Sequence, residues 1–438
     1  MTNCTSESLS FSPLNRKEVT VNFKGGAITS DAGILLLREV DKRLGLTKQL
    51  AKVIKDDRHQ NYVDHSVEHM LKQRVYAIAA GYEDVTDHDT LNKDPCFQTA
   101  VGRQVNLASS STLSRFESAI DRQSLVDLSK QLVEHFIQSH QQPPKTLTLD
   151  FDPTDNRLHG HQEKRHYHGY YKEDCFLPLH VFCGDHLLIS FLRPSNIDGS
   201  KYAGAILRLL VTRLRQAWPD VEILFRGDCA FARNRLLYWC EHNNVSYITG
   251  ISGNKRLHAL GQSLIEQAEK QFQETGHKQR LFSAFQYQAN SWKQPRRVIV
   301  KAEHHDKGTN FRCIITNLNH EEPQYLYDHE YCPRGQMENG IKQLKLDFFS
   351  DRNSCHHFLA NQFRVLLSSI AYILVNELRQ TDLAGTALAK AYGGTIRLKL
   401  FKVGAIILTN SRRIQFLLSS HYPEQKLFAH VARQYIPP

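Results

Sequence analysis

The stretch from 141 to 251 constrains the fold of this 438-residue chain most tightly. It opens on a break, Gln141-Gln142-Pro143-Pro144, and the pattern then turns from helical to strand-like. TLTLDFD, LPLHVFCG, HLLISFLRP, VEILFRGD and VSYITGI are short apolar runs, each about the length of one strand. The first three follow in quick succession, with a hairpin signal at Gly184-Asp185 between the second and third. Helical patterns at about 199–217 and 233–243 separate the others. Strand, strand, strand, helix, strand, helix, strand predicts a mixed α/β sheet covered on both faces.

The rest of the chain is organised around that sheet. Residues 1–140 begin with a short apolar run, VTVNF, and the turn Gly25-Gly26. They continue as helices: Ser30-Asp31 caps a run ending in ILLLREV, and DHSVEHMLKQRVYAIAAGYE and SSSTLSRFESAID follow. This predicts a helical N-terminal domain that binds DNA, although no spacing fixes a helix-turn-helix within it. Residues 141–251 form the first part of the sheet domain. Residues 252–325 interrupt it with a charged helix, SLIEQAEKQFQET, and three strand-like runs, and read as a β-rich insertion. Residues 326–388 return to the sheet domain with two helices, and residues 389–438 form a basic C-terminal segment.

Charge sharpens this division. The formal net charge is +10, yet residues 1–140 hold 17 basic and 18 acidic residues. The remainder carries 38 basic against 27 acidic, and residues 389–438 alone carry eight cations and one acid, Glu424. A basic excess in the second half suggests a polyanion partner, most simply nucleic acid. The nine cysteines are scattered without a C-x-x-C pair, which argues against a disulfide framework or a cysteine zinc site. MTNCTSESLS lacks a secretory pattern, and the sequence shows no run of 18 or more apolar residues, so the expectation is a cytoplasmic protein with no membrane span.

Three carboxylates stand where chemistry would need them. In TLTLDFDPT, alternation puts Leu147, Leu149 and Phe151 on one face and Asp150 and Asp152 on the other. Acids near the end of a buried strand are expensive unless paired or holding a cation. Asp228 ends the equally apolar run VEILFRGD, and ligands of α/β sheets gather at strand C-termini. Singly, Asp152 also suits a turn before Pro153, and Asp228 a helix cap. The third acid, Glu338, lies in YCPRGQMENGIKQLKLDFF, a helix with Pro333 in its first turn. Met337, Ile341, Leu344 and Phe348 make its apolar stripe. Arg334, Glu338, Lys342 and Lys345 form a second stripe beside it, which fits either a solvated salt-bridge ladder or an acid for metal flanked by cations for phosphate.

With these pieces in place, the chain resembles a DDE transposase with an RNase H-like core, most of all the bacterial insertion-sequence 1380 group, a relative of the insertion-sequence 4 group. The resemblance runs through FKGGAITSDAGILLLREVD, GYEDVTDHDTLNKDP, LDFDPTDNRLHGHQ, RPSNIDGS, FRGDCAFARNRLLYWCE, RRVIVKAEH and YCPRGQMENGIKQLK, and covers most of the chain. The last piece matches the signature Tyr-x2-Arg-x3-Glu-x6-Lys through Tyr331, Arg334, Glu338 and Lys345. The resemblance implies Asp152, Asp228 and Glu338 as catalytic metal ligands, with Asp150 competing for the first place. It implies two Mg²⁺ ions, with Mn²⁺ as an alternative, and cleavage at transposon ends followed by strand transfer. Partners would be the terminal inverted repeats and target DNA, with a homodimer in the synaptic complex and a nucleoid-associated location. Arg334 and Lys345 would bind DNA phosphates, and Tyr331 a phosphate or base. A metal-dependent nuclease without strand transfer and a catalytically silent DNA-binding protein are the alternative readings.

Other candidates are weaker. HGHQEKRHYHGYY, residues 159–171, holds four histidines at no standard zinc spacing and reads as a surface loop. Trp292, beside Lys293, Arg296 and Arg297, suits base stacking next to a phosphate track or a place in the core, and Arg297 is a DNA-binding candidate with it. Lys399, Lys402, Arg412 and Arg413 suit transposon-end contacts or a solvated basic surface.

Overall fold

The structure, a computed structural model, describes residues 8–319 and 321–435. The chain divides into two compact units, one of Ile120–Ser369 and one of Met1–Ala119 with Ile370–Pro438. The division does not fall at the Gln-Pro break. The helix Arg122–Gln138, expected in the N-terminal domain, belongs to the sheet unit, because Val133 and Phe136 are buried in that unit's core. The basic C-terminal segment belongs with the N-terminal helices.

In the sheet unit the order is α1 (Arg122–Gln138), β1 (Thr146–Pro153), β2 (Leu179–Cys183), β3 (His186–Phe191), α2 (Ala203–Ala217), β4 (Glu222–Gly227), α3 (Asn234–His242), β5 (Val245–Ile251), α4 (Lys255–Thr275), β6 (Gln279–Tyr287), β7 (Arg296–His305), β8 (Gly308–Thr316) and α5 (Gly335–Leu346). A long helix, α6 (Phe358–Glu377), follows and runs on into the other unit. The strands form one eight-stranded sheet in the order β6-β7-β8-β5-β4-β1-β2-β3. β1, β2 and β3 form an antiparallel meander, and β4 and β5 join the other side of β1 in parallel. The spatial order 3-2-1-4-5 of these five strands is that of an RNase H-like core, so the fold is the expected mixed α/β class. The inserted strands extend the same sheet: β8 pairs antiparallel with β5, and β7 and β6 continue outward.

Alternation decides what each face carries. Leu147, Leu149 and Phe151 of β1, Ile223 and Phe225 of β4, and Val245 and Tyr247 of β5 bury together with residues of α1, α2, α3 and α4. That face is almost wholly apolar, so it supplies the hydrophobic driving force. The other face carries Asp150, Asp152, His180, Phe182 and Arg226, and meets α5. A Cβ at Gly340 would stand 2.8 Å from the Phe182 ring, so only glycine lets α5 lie this close to β2. Met337, Ile341, Leu344 and Phe348 are all buried, as the stripe predicts.

The second unit contains the N-terminal helices, held by a buried pair in which Arg74 Nε donates to Glu117 at 2.7 Å. A three-stranded sheet unites its two chain segments: Ala405–Thr409 lies between Ile414–Leu418 and Ile28–Thr29. Leu9–Leu14 and Lys17–Val21 form a separate hairpin. Among the described residues, one helical stretch, Phe358–Asp382, is long and apolar enough by length and composition to cross a membrane, although polar residues such as Asn361, Gln362 and Arg364 interrupt it. It is 94% buried within the protein over its most apolar window, which is the signature of a core helix.

Gly340→Ala tests the close approach of α5. Helix propensity alone would make alanine stabilising by about 1 kcal/mol. Overpacking against Phe182 should win and cost about 1–3 kcal/mol in urea unfolding, with most of it recovered by adding Phe182→Leu. A stabilised Gly340→Ala protein would show that the helix is not held against β2.

Candidate active site

The parallel pairing of β1 and β4 places the first two acids. Phe151 stands beside Gly227, so the next residues, Asp152 and Asp228, leave adjacent strand ends side by side. Asp228 caps the short turn Cys229–Phe231, its carboxylate accepting the Ala230 N–H at 2.9 Å. Next to it on β5, Gly250 leaves room for Tyr331: a Cβ there would stand 3.0 Å from the tyrosine hydroxyl and 3.0 Å from the Cys229 nitrogen.

Arg334, in the turn that leads into α5, ties the helix to the strand. Its Nη1 donates to Asp152 Oδ1 at 3.2 Å and its Nη2 to Glu338 Oε1 at 2.6 Å. The i,i+4 pair of a salt-bridge ladder is therefore present, and the same guanidinium also grips the strand acid. Glu338 keeps a side chain 55% exposed, beside Arg334 at 17%. Burial pushes the Asp152 carboxyl up to about 7; Arg334 opposes this, and the negative charges of Asp228 and Glu338 add to it. Asp228 is raised by burial, against the Ala230 hydrogen bond and Arg334. Burial also raises the Tyr331 phenol, with Arg334 opposing and Asp228 reinforcing.

Asp150, the rival for the first position, is only 2% exposed and fully engaged. Its two carboxylate oxygens accept from Arg226 Nε at 2.5 Å and Nη2 at 2.7 Å. Arg226 Nη1 also donates to the Glu330 carbonyl at 2.5 Å, so the pair fixes the segment before Tyr331. Arg226 was missed in the sequence reading. Its signal was the spacing: Arg226 precedes Asp228 by two as Asp150 precedes Asp152, and parallel neighbours in this register must pair them.

Lys345 lies on the same helix but holds the loop after β1. Its Nζ donates to the Asp155 carbonyl at 2.6 Å and approaches Asp155 Oδ1 at 3.4 Å and Thr154 Oγ1 at 3.5 Å. Trp292 does not offer a face for base stacking. It is 7% exposed, packs edge-on to Tyr287 and sits under Arg296, which is the core placement. Arg297 donates to the Leu318 carbonyl at 2.7 Å and the Glu321 carbonyl at 2.8 Å, so its guanidinium is spent on backbone carbonyls. The histidine-rich segment forms part of a small three-stranded sheet of Asn156–Arg157, His166–His168 and Glu173–Phe176. Lys399 pairs with Glu424 at 3.1 Å and Lys402 with the buried Asp31 at 2.7 Å, while Arg412 and Arg413 lie exposed in a turn.

As a place for metal the site is suggestive in its donors and unfinished in its geometry. Among the described residues, no three His, Cys, Asp or Glu side chains converge as a ready cage. Arg334 stands between Asp152 and Glu338 instead and serves as their counter-cation. The donors are nonetheless all carboxylate oxygens, and a hard divalent cation would offset both the burial that raises Asp152 and the repulsion from Asp228 and Glu338 that adds to it.

A family profile described as "Transposase DDE domain group 1" matches residues 11–436, almost the whole chain. The chain belongs to this transposase DDE domain family. No curated protein matches it. A solved structure described as the cryo-EM structure of the piggyBac transposase synaptic complex with hairpin DNA is similar over 85% of this chain and 80% of that one, with 10% identity and a TM-score of 0.40. The carboxylates of this DDE-domain transposase lie on the sheet face that also buries His180, opposite Asp152 in the β1–β2 register.

His180 generates a prediction. Its Nδ1 lies 2.9 Å from Ser190 Oγ, and burial, with the charges of Lys345 and Arg193 behind it, lowers its pKa to about 3. The unfolded chain would take up a proton there at about 6.5. His180 therefore costs no stability at neutral pH, and stability falls as pH drops from about 6.5 toward 3, by about 2 kcal/mol at pH 5. In urea unfolding, the wild type should lose about 2 kcal/mol between pH 7 and pH 5 relative to His180→Leu, because the opposite slope of the raised Asp152 carboxyl is common to both proteins. Equal slopes would mean that His180 is protonated in the folded protein.

Proposed function

We propose that this protein is a transposase that cuts DNA at the ends of its element and joins the freed 3′ ends to target DNA by the DDE mechanism, in the manner of the insertion-sequence 1380 group. One observation carries the reading: in a chain of the transposase DDE domain family, Asp152 and Asp228 leave adjacent parallel strands side by side, with Glu338 delivered beside them on α5. Those residues would hold Mg²⁺, or Mn²⁺ in its place. Ions held there would supply the positive charge that a phosphodiester needs at its attacking and leaving oxygens. The protein's own share is geometry and charge. Asp150 and Arg226 lock β1 to β4, so that the two strand acids keep their spacing. Arg334 holds Asp152 and Glu338 together and presents a planar cation where phosphate charge would build up. Lys345 fixes the loop after β1 and adds charge beside it. No protein nucleophile is needed: water attacks first, then the freed 3′-hydroxyl.

The partners follow from the reaction: DNA carrying the terminal inverted repeats, target DNA, and a second copy of the chain to bring two ends together in a nucleoid-associated synaptic complex. The 38 cations against 27 acids after residue 140 support a polyanion partner.

Substitution separates the ligands from the structural pair. Asp152→Asn, Asp228→Asn and Glu338→Gln should each abolish Mg²⁺-dependent cleavage of labelled element-end DNA while leaving DNA affinity within a few-fold. Asp152→Asn should leave the fold at least as stable at neutral pH, since it removes a carboxylate whose charged form burial disfavours. Asp150→Asn should instead lose roughly 3–5 kcal/mol in urea, because Arg226 is left buried without its partner. Arg334→Lys keeps the charge and loses the fork, and should slow single-turnover cleavage at saturating DNA tenfold or more. Full cleavage by Asp152→Asn would sink the assignment. Cut ends without joined products would leave a nuclease rather than a transposase.

A further inference from the structure

RPSNIDGS, residues 193–200, leads from β3 toward α2 and takes no part in the chemistry above. Its first residue sits where a cation is expensive. Arg193 is 0% exposed, and among the described residues no carboxylate pairs with it. Backbone carbonyls surround the guanidinium instead. Nε donates to Leu177 at 2.8 Å, and Nη1 donates to Gly199 at 2.9 Å and to Lys201 at 2.7 Å. Nη2 is buried with no hydrogen-bond partner. Asp198, whose charge reaches Arg193, is itself paired with Arg233. A buried charge held only by neutral groups, with a donor left over, is costly to stability. An apolar side chain of similar volume would avoid that cost. Arg193 is therefore to be explained by what it holds in place.

What it holds is the footing of both strand acids. Leu177 is tied to Arg193 twice: its N–H donates to the Arg193 carbonyl at 2.8 Å, and its carbonyl accepts from the side chain. The next carbonyl, that of Pro178, accepts the Thr154 N–H at 3.0 Å, two residues after Asp152. Gly199 rests on both acid-bearing turns. A Cβ there would lie 3.5 Å from Pro153 Cγ, directly after Asp152, and 3.6 Å from Ala230 Cβ. Ala230 is the residue whose N–H the Asp228 carboxylate accepts. One guanidinium thus cross-links the chain entering β2, the loop over the two turns and the lead into α2. A planar fork can hold three carbonyls in fixed directions, which a single ammonium on a flexible stem cannot.

We propose that Arg193 is a positioning residue for the acid pair: through Leu177 and Gly199 it clamps the turns after β1 and β4, and so fixes Asp152 and Asp228 at the separation that shares a divalent cation. The inference rests on the proposed metal-dependent reaction. It adds a residue that acts on the carboxylates through the backbone and not through metal or DNA.

The test follows Mn²⁺ binding to the full-length protein by electron paramagnetic resonance, beside single-turnover cleavage of element-end DNA over a range of Mn²⁺. Arg193→Lys should raise the Mn²⁺ concentration for half-maximal binding and for half-maximal cleavage together, at least tenfold. Its DNA affinity in EDTA should stay within a few-fold of wild type. Arg296→Lys controls for general loosening. That buried arginine pairs with Glu241 at the start of β7, with β8 and β5 between it and β4. It should lower the melting temperature and leave both Mn²⁺ curves unmoved. Gly199 gives a second handle that keeps Arg193 and does not depend on the folding of Arg193→Lys. Gly199→Ala meets only ordinary van der Waals contacts and should bind Mn²⁺ as wild type does. Gly199→Leu should press the loop off both turns and weaken binding at least tenfold. Unmoved Mn²⁺ curves in Arg193→Lys, whatever its melting temperature, overturn the proposal, as does wild-type binding by Gly199→Leu. A wild type that neither binds Mn²⁺ nor cleaves is a different failure: it sinks the transposase reading, and this inference with it.

Discussion

The site depends on one constraint, the in-register parallel pairing of β1 and β4. That register aligns two short motifs, Asp-Phe-Asp on one strand and Arg-Gly-Asp on the other. The first pair, Asp150 and Arg226, is opposite in charge and neutralises itself inside the protein with two hydrogen bonds. The second pair, Asp152 and Asp228, is alike in charge and does not. Slipping the register by one residue would point one strand's polar residues into the apolar core. The buried ion pair therefore specifies the arrangement of the site more than it stabilises the fold. It forces two carboxylates to share the strand ends, where burial first, and then the neighbouring charges of Asp228 and Glu338, raise the Asp152 carboxyl.

The third acid is bound to this pair by packing and by a cation. Gly340 allows α5 to lie against Phe182, and the apolar stripe of Met337, Ile341 and Leu344 keeps it there. Arg334 then spans from the helix acid to the strand acid. One guanidinium thereby compensates both carboxylates, and under the proposed function it is also the cation set toward phosphate.

Much of this was legible in the sequence because it follows from period and order. The run of strands and helices between 146 and 251 gave the mixed sheet, and alternation gave the faces of β1. The spacing of Met337, Ile341, Leu344 and Phe348 gave the buried side of α5. What stayed illegible depends on partners distant in sequence. That α1 packs on the sheet core, that the insertion continues the sheet through β5 and β8, and that the C-terminal strands join Ile28–Thr29 all involve pairings that no local pattern announces. Trp292 shows the limit most plainly. An aromatic residue among cations reads the same whether it faces a base or the core, and only the neighbours Tyr287 and Arg296 decide.

The same limit applies to charge. The basic excess after residue 140 suggests a polyanion partner, yet several of those cations are already committed within the protein. Arg193 holds the carbonyls of Leu177, Gly199 and Lys201, Arg296 holds Glu241, Arg297 holds a turn, and Lys402 holds the buried Asp31. Counterion release counts only cations that meet phosphate, so under the proposed function the salt dependence of DNA binding would be gentler than the bulk excess suggests. The cations that matter are those whose present partners a phosphate could replace. Arg334 is the foremost of these under the proposed function, because its partners, Asp152 and Glu338, are the carboxylates proposed to hold metal.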